Sequence, residues 1–411
     1  MSERKTVLAL GWVSFFMDVS SEMIYPLLPV FLSSLGAGSL AIGFVAGLSE
    51  STASFFRVIS GFLSDRLRKR KTAILFGYGL STLARPILAL STGWGHVLGF
   101  RIIDRAGKGV RTPPRDALIA EATSADRYGR SYGIQRAMDT AGAVLGPALA
   151  TLFLAVGIGY RHVFWISLIP AAVAVAVIQI FVREHGASAP RVAPMASPHE
   201  RSVSEHVRGN RRQDPSGIAA AREPLLSKEL KIFLVVTAVF SLGNSSNFFL
   251  VLRARNLGIA DNIIPLLYMT MNITYALLSY PAGRLADRFG KAPVAFLGYM
   301  LYAVLYALFA IEARKSALWI LFPLQGIYLA FTDGVATAYM ATLLPGKRKA
   351  TGFAIYYTVI GLALLPASIF GGWLWARYSP SATFIAGSVL ALAAGTLFGV
   401  TLLRAHRARE T

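Results

Sequence analysis

Long apolar runs separated by short polar breaks fill most of the 411 residues. A run of roughly 20 apolar residues is enough to cross a bilayer as a helix. Twelve runs qualify, at 6–32, 39–62, 72–92, 96–120, 131–157, 162–182, 229–252, 261–283, 292–312, 315–343, 350–376 and 381–404. In hydrocarbon every backbone polar group must be satisfied within the segment, which makes each run a helix. The pattern therefore predicts an all-α membrane protein with about twelve spans.

Charge gives these spans an orientation. The net charge is +20, and the cations flank apolar blocks instead of forming a folded basic surface. They read as topology signals, with attraction to anionic lipid and no nucleic-acid partner. The basic strings RLRKRK, DRYGR, DRFGK, GKRK and RAHRAR all follow even-numbered spans. Both termini and the even loops are expected on the cytoplasmic side, with Arg253 and Arg255 after span 7 as the exception. The opening MSERK leads into span 1 with no small-residue cleavage site, so that span should stay in the protein. There is no cysteine, which removes disulfides, thiol nucleophiles and cysteine metal sites. No phosphate-binding glycine loop is present either. These absences point away from an enzyme, from a cofactor and from a metal site. They leave an ion gradient as the energy source.

Residues 183–228 break the rhythm. They are rich in Pro, Ser, Arg and His and carry no apolar period, so they are expected to link two halves, 1–182 and 229–411, flexibly on the cytoplasmic side. The halves echo one another. GFLSDRLRKRK begins at Gly61 after span 2, and GRLADRFGKAP begins at Gly283 after span 8. Duplication of this kind is common in transporter folds.

Several spans carry charge where charge is expensive, roughly 2.5–3.5 kcal/mol per group at mid-bilayer on insertion scales. In FRIIDRAGKGVRTPPRDALIA, residues 101, 104, 105, 108 and 111 fall within an arc of about 120° at 100° per residue. Arg101, Asp104, Arg105 and Lys108 thus form a polar stripe, read as the wall of a transport cavity. Pro113 and Pro114 should end the helix, with Thr112 capping a new short one and Arg111 and Arg115 at the cytoplasmic mouth. In span 1, Asp18 and Glu22 are four apart and share a face. They can carry protons, pair with cations of span 4, or do both, and Pro26 and Pro29 should bend the outer half. Glu50 lies mid-span in span 2. Arg57 is expected to snorkel and Arg85 to pair with a carboxylate. In span 5, Tyr132, Gln135, Arg136 and Asp139 share a face, and Gly142-x-x-x-Gly146-Pro147 lets helices approach closely. The second half is less charged: Asn244–Asn247, Asn272, Tyr275, Tyr356 and Tyr357 are its polar positions, and Asp333, near Gln325 and Tyr339, is its deep acid.

The paired strings resemble the signature loop of the major facilitator superfamily, Gly-x-x-x-Asp-Arg-x-Gly-Arg-Arg. Gly61, Asp65 and Arg66 match in the first copy, where Arg68 replaces the usual glycine. Gly283, Asp287, Arg288, Gly290 and Lys291 match in the second. SFFMDVSSEMIYPLLP and DRAGKGVRTPPRDALI resemble a bacterial subgroup near the drug-efflux-type facilitators. The resemblance implies two six-helix bundles related by a pseudo-two-fold axis in a bacterial cytoplasmic membrane. It also implies that the signature Asp and Arg brace helix ends and tune the inward–outward equilibrium. Arg101 or Arg105 would take the part of the proton-linked arginine of span 4, and the Gly142 motif that of an antiport motif. The expected function is secondary transport of a small solute by a monomer. Proton-coupled efflux comes first and uptake of an organic anion or metal chelate second, with a membrane sensor as the remote alternative.

Overall fold

The computed structural model describes residues 3–67, 70–123, 128–182, 227–344 and 349–410. Residues 183–226 of the expected linker and the first signature loop's Arg68 lie outside these residues, while Ser227 and Lys228, expected in the linker, cap and begin the next rod. The described residues form twelve helical rods. α1 runs Glu3–Ile24, through a 3-10 turn Tyr25–Leu27, into Leu28–Ser34. α2 is Ser39–Leu67. α3 is Arg70–Leu83 continued as Arg85–Ala89. α4 is Trp94–Ala122 and α5 is Tyr128–Ala155. α6 is Tyr160–Ile166 continued as Leu168–Phe181. α7 is Lys228–Gly243 continued as Phe248–Asn256. α8 is Ile264–Phe289 and α9 is Lys291–Ile311. α10 is Leu318–Leu343 after a 3-10 turn Lys315–Ala317. α11 is Lys349–Arg377 and α12 is Pro380–Glu410.

The packing repeats between halves. α1 lies against α5 and α6, α2 against α4, and α3 against α4; in the same way α7 lies against α11 and α12, α8 against α10, and α9 against α10. Between halves, α2 meets α11 and α5 meets α8. This is the pseudo-symmetric pair of six-helix bundles. Ten rods are long and apolar enough to cross a membrane by themselves; α4 and α8 are not. Their polar positions are tolerated where neighbouring rods enclose them.

Breaks in the rods have local causes. The turn at Tyr25–Leu27 contains Pro26, with Pro29 just beyond it, and neither has an N–H to donate. α7 opens at the polar run Asn244–Asn247. There the hydroxyls of Tyr302 and Tyr306 donate to the freed carbonyls of Gly243 (3.0 Å) and Ser245 (3.3 Å). One expected break is absent, because α4 continues straight through Pro113 and Pro114. Pro114 cannot donate to Val110 O, but the Ser60 hydroxyl of α2 does so at 2.5 Å. Thr112 caps nothing; its hydroxyl donates back to Lys108 O at 2.7 Å.

Close approach needs glycine at two seams. A Cβ on Gly142 or Gly146 of α5 would lie 2.5 Å from Phe15 O or 2.7 Å from Val19 O of α1. A Cβ on Gly43 or Gly372 would meet backbone of the other half at 2.2 or 2.5 Å, so α2 and α11 touch almost bare. Gly290, in the second signature loop, has φ +97°, a conformation that side chains resist.

Candidate functional site

The polar interior of the first half is organised by α4. Arg101 and Arg105 are bridged by two carboxylates, one on each side. Glu50 Oε1 of α2 lies 3.4 Å from Arg101 Nη2 and 3.5 Å from Arg105 Nη1. Asp104 Oδ2 lies 3.9 Å from Arg101 Nη1 and 3.4 Å from Arg105 Nε. The result is a ring of two acids and two guanidiniums. Arg101, Asp104 and Arg105 are enclosed, while the Glu50 side chain keeps 35 % of its exposure. A buried charge is tolerable when it is paired, which explains why the stripe packs inward instead of lining open space.

An aromatic cluster closes over this ring. The Arg101 guanidinium lies 5.6 Å from the centroids of both Tyr25 of α1 and Phe248 of α7. Tyr25 in turn packs 5.1 Å from Phe248 and 5.4 Å from Tyr268 of α8. The cluster therefore joins the halves. Nothing in the sequence pattern marks Tyr25, Phe248 and Tyr268 as neighbours, since they lie in three different rods.

Asp18 and Glu22 sit one helical turn apart on the inner face of α1, half-buried. Among the described residues neither forms an ion pair. Lys108 is near both, Asp139 is near Asp18, and Asn272 of α8 lies beside Glu22. The α5 face splits. Gln135 donates to Asp139 Oδ2 at 2.7 Å and to Ser14 Oγ at 3.3 Å, toward α1. Arg136 turns the other way, and the side chain of Tyr132 lies outside the described residues.

Other cations settle differently from expectation. Arg85 is fully buried, but its partners are α1 hydroxyl and carbonyl groups, Ser21 Oγ at 3.1 Å and Ser20 O at 3.5 Å, with the Phe100 ring 5.8 Å away. Among the described residues no carboxylate pairs with it. Arg111 is also buried and not at a mouth: it donates to Ser81 Oγ at 2.7 Å and lies over Tyr78. Arg115 reaches Ser14 Oγ and Asp116. Arg57 does not snorkel outward but lies over the Tyr357 ring of the other half, 5.1 Å from its centroid. Arg253, the exception to the charge bias, is buried and donates to Phe309 O, Ala310 O and Glu312 O at 3.0–3.3 Å. It holds the carbonyl end of α9, where a cation is favoured. Its neighbour Arg255 pairs with Asp261 at 3.2 Å.

A cavity of about 550 Å³ opens between the halves, lined by Arg136, Tyr275, Ser279, Asp287, Asp333 and Tyr357 among others. At its wall the Tyr275 hydroxyl donates to Asp333 Oδ2 at 2.7 Å, and Arg136 contacts both Tyr275 and Asp333. Arg136–Asp333, at 3.5 Å, is the one ion pair across the halves among the described residues. Gln325 is wholly buried and Tyr339 packs on Phe233, so neither partners Asp333. The second signature loop stands at the cavity mouth, with Asp287 paired to Lys291 at 3.5 Å. The side chain of Asp65 lies outside the described residues, and Arg66 is exposed in the last turn of α2.

The two ends of the molecule differ. At the end away from the chain termini the halves touch: Tyr160 donates to Asp261 Oδ2 at 2.8 Å, and Ser39 to Gly372 O at 3.1 Å. At the termini end, among the described residues, the cavity wall runs along α8 to Gly283, Asp287 and Lys291. A Cβ on Gly283 would meet nothing within 4 Å, and one on Gly61 would meet only Pro113 of its own half at 3.9 Å. Among the described residues the cavity thus reaches the termini end, while polar contacts join the halves at the other.

Comparisons with known proteins agree with this architecture. A relative from Methanocaldococcus jannaschii described as an MFS-type transporter is 39 % identical over 96 % of this chain and 94 % of its own. The multi-drug resistance efflux pump PmrA of Streptococcus pneumoniae is 24 % identical over 83 % of this chain and 79 % of its own. Among solved structures, a POT family transporter in complex with a thioalcohol-conjugated peptide superposes with a TM-score of 0.76 at 12 % identity, covering 98 % of this chain and 96 % of its own. A D-xylose–proton symporter does so with a TM-score of 0.71 at 17 % identity, covering 96 % of each. At such identities the solved structures speak for the fold alone. The family model of the Major Facilitator Superfamily matches residues 10–252 and 232–411, and the chain belongs to that superfamily of membrane transporters.

Proposed function

We propose that the chain is a proton-coupled secondary transporter that exposes its central cavity to the two membrane faces in turn. One observation carries the coupling: Asp18 and Glu22 stand inside the first half without an ion pair, while Glu50 and Asp104 are held by arginines. A buried carboxylate without a cation is an expensive anion. Among the described residues these two acids have no ion-pair partner, and we assign them the proton. The basic loops after even-numbered rods support placing both termini, and hence the end that the cavity reaches, on the cytoplasmic side of a bacterial inner membrane, with 183–226 linking two halves of a monomer.

Export by proton antiport is the direction we place first. It is supported by the names of relatives such as the PmrA pump and by the seating of Gly142 and Gly146 of α5 against α1, beside Asp18 and Glu22 respectively. A second reading, cotransport of cargo and proton inward, is favoured by the half-exposed Glu50 shared between Arg101 and Arg105. Everted vesicles with an acid lumen test the first: ethidium should accumulate in the lumen and discharge the proton gradient. Asp18→Asn and Glu22→Gln should abolish gradient-driven accumulation while ethidium equilibration persists. Gradient-driven accumulation that survives both substitutions would remove α1 from the proton path.

A further inference from the structure

We propose that the cargo carries an oxyanion on an aromatic or apolar frame, and that this oxyanion binds Arg101 and Arg105 by taking the place of Glu50. The inference rests on the cotransport reading. Three features of the ring lead to it. Glu50 is its displaceable member: its side chain keeps 35 % exposure, against 2, 5 and 8 % for Arg101, Asp104 and Arg105. Glu50 also holds loosely. One oxygen serves both guanidiniums at 3.4 and 3.5 Å, whereas a charge-assisted bond usually closes to about 2.7–2.9 Å. Finally, Nε of Arg101 is buried with no hydrogen-bond partner, while Nε of Arg105 faces only Asp104 at 3.4 Å, so a donor remains for a second oxygen. A carboxylate or phosphate presents several oxygens to two forked donors, a better match than one shared Glu50 oxygen.

The frame follows from what surrounds the arginines. Tyr25, Phe248 and Tyr268 form an aromatic corner, with Tyr25 from the first half and the other two from the second. A flat or apolar group attached to the oxyanion would lie against these rings and so be held by both halves. Cargo bound there can favour one arrangement of the halves over another, which a ligand contacting one half alone cannot do.

Under the cotransport reading the proton rides on Glu50 instead of on Asp18 and Glu22. The charged and titratable groups facing it are Arg101, Arg105 and Lys108 of α4, Arg57 of its own helix, Tyr25 of α1 and Tyr268 of α8. Once a cargo oxyanion neutralises the two arginines, Glu50 becomes surplus negative charge in a half-enclosed site and takes a proton from the open side. Anion and proton then move together. When the oxyanion leaves, Glu50 returns to the arginines and gives up the proton.

The test uses the full chain in detergent, with benzoate, phenyl phosphate and tetraphenylphosphonium as probes at acidic and neutral pH. Benzoate or phenyl phosphate should raise the unfolding midpoint, more so at acidic pH, and the stronger of the two identifies the oxyanion. Glu50→Gln removes the competing charge and should tighten anion binding about tenfold, or about 1.4 kcal/mol, while erasing its pH dependence. Arg105→Lys, which keeps the charge but not the fork, should weaken it. Stabilisation by tetraphenylphosphonium alone, no response to either anion, or anion binding indifferent to Glu50→Gln would overturn the proposal. Anion binding that responds to Glu50→Gln, in a protein whose proteoliposomes show no anion-driven proton entry, would keep the site and sink the cotransport reading.

Discussion

At the scale of single residues, the deciding quantity is whether a buried charge has a partner. Asp104 is enclosed between two arginines, and removing one member of a buried pair strands the others, typically at about 3–5 kcal/mol. Asp104→Ala should therefore lower the thermal midpoint in detergent far more than Glu50→Gln, whose site water can reach. Equal losses would show that the ring is not organised as described. Arg253 makes the same point from the backbone side. It donates to three carbonyls at the end of α9, and hydrogen bonds to a charged group contribute about 1.5–3 kcal/mol each at most. These residue identities were legible in the sequence; their partners were not. Arg253 looked like a stray topology charge because its partners lie more than fifty positions away, and Arg85 looked like half of an ion pair because a hydroxyl-lined pocket leaves no mark on hydropathy. The ring's Asp104 and Arg105 announced themselves by spacing on one helix, but Glu50 as their common partner required the fold.

At the scale of the rods, the predicted runs match all twelve to within about six residues at each end, ten of them because in lipid the run and the helix are the same constraint, while α4 and α8 are not apolar enough to cross by themselves. The failure at Pro113–Pro114 is instructive. Local rules end a helix there, and α4 continues because Ser60, on another rod, satisfies the carbonyl that Pro114 leaves free. Tertiary help of this kind cannot be read from the prolines. It can be tested: Ser60→Ala strands Val110 O and should destabilise the protein by about 1–3 kcal/mol in detergent unfolding, with the loss centred on α4. Glycine offers a sharper contrast between rods. A side chain at Gly146 would press on Val19 O at 2.7 Å, whereas one at Gly79 of α3 would meet nothing within 4 Å. Gly146→Val should separate α5 from α1 and abolish both folding yield and proton coupling. Gly79→Ala should be neutral or add up to about 1 kcal/mol, since alanine is the better helix former. A tolerated Gly146→Val would mean that the α1–α5 seam is not the tight element it appears in the packing.

At the scale of the whole molecule, among the described residues, polar contacts join the halves at one end while the cavity reaches the other, and transport requires that this asymmetry reverse. The closed end is held by few polar contacts between halves, among them the hydroxyl of Tyr160 on Asp261, which Arg255 fixes from its own side. The termini end has open space at Gly61 and Gly283, room into which the halves can close. Weakening the closed end should therefore shift the population toward the opposite arrangement without touching the cavity. Tyr160→Phe removes one hydrogen bond that exists only while that end is shut. The loss is about 0.5–1.5 kcal/mol, or roughly a two- to tenfold change in the ratio of the two states. The absence of native cysteine makes this measurable, because Ser279→Cys, on the cavity wall, would be the only thiol in the chain. A membrane-impermeant maleimide applied to the termini face should label that cysteine readily, and Tyr160→Phe should slow the labelling in proportion to the fall in the population open there, by no more than the change in the ratio. Unchanged labelling would show that Tyr160–Asp261 is not part of what holds the end closed. Faster labelling would mean that loosening this end opens the other further, and the two ends would then not be coupled as rigid halves rocking about a common seam.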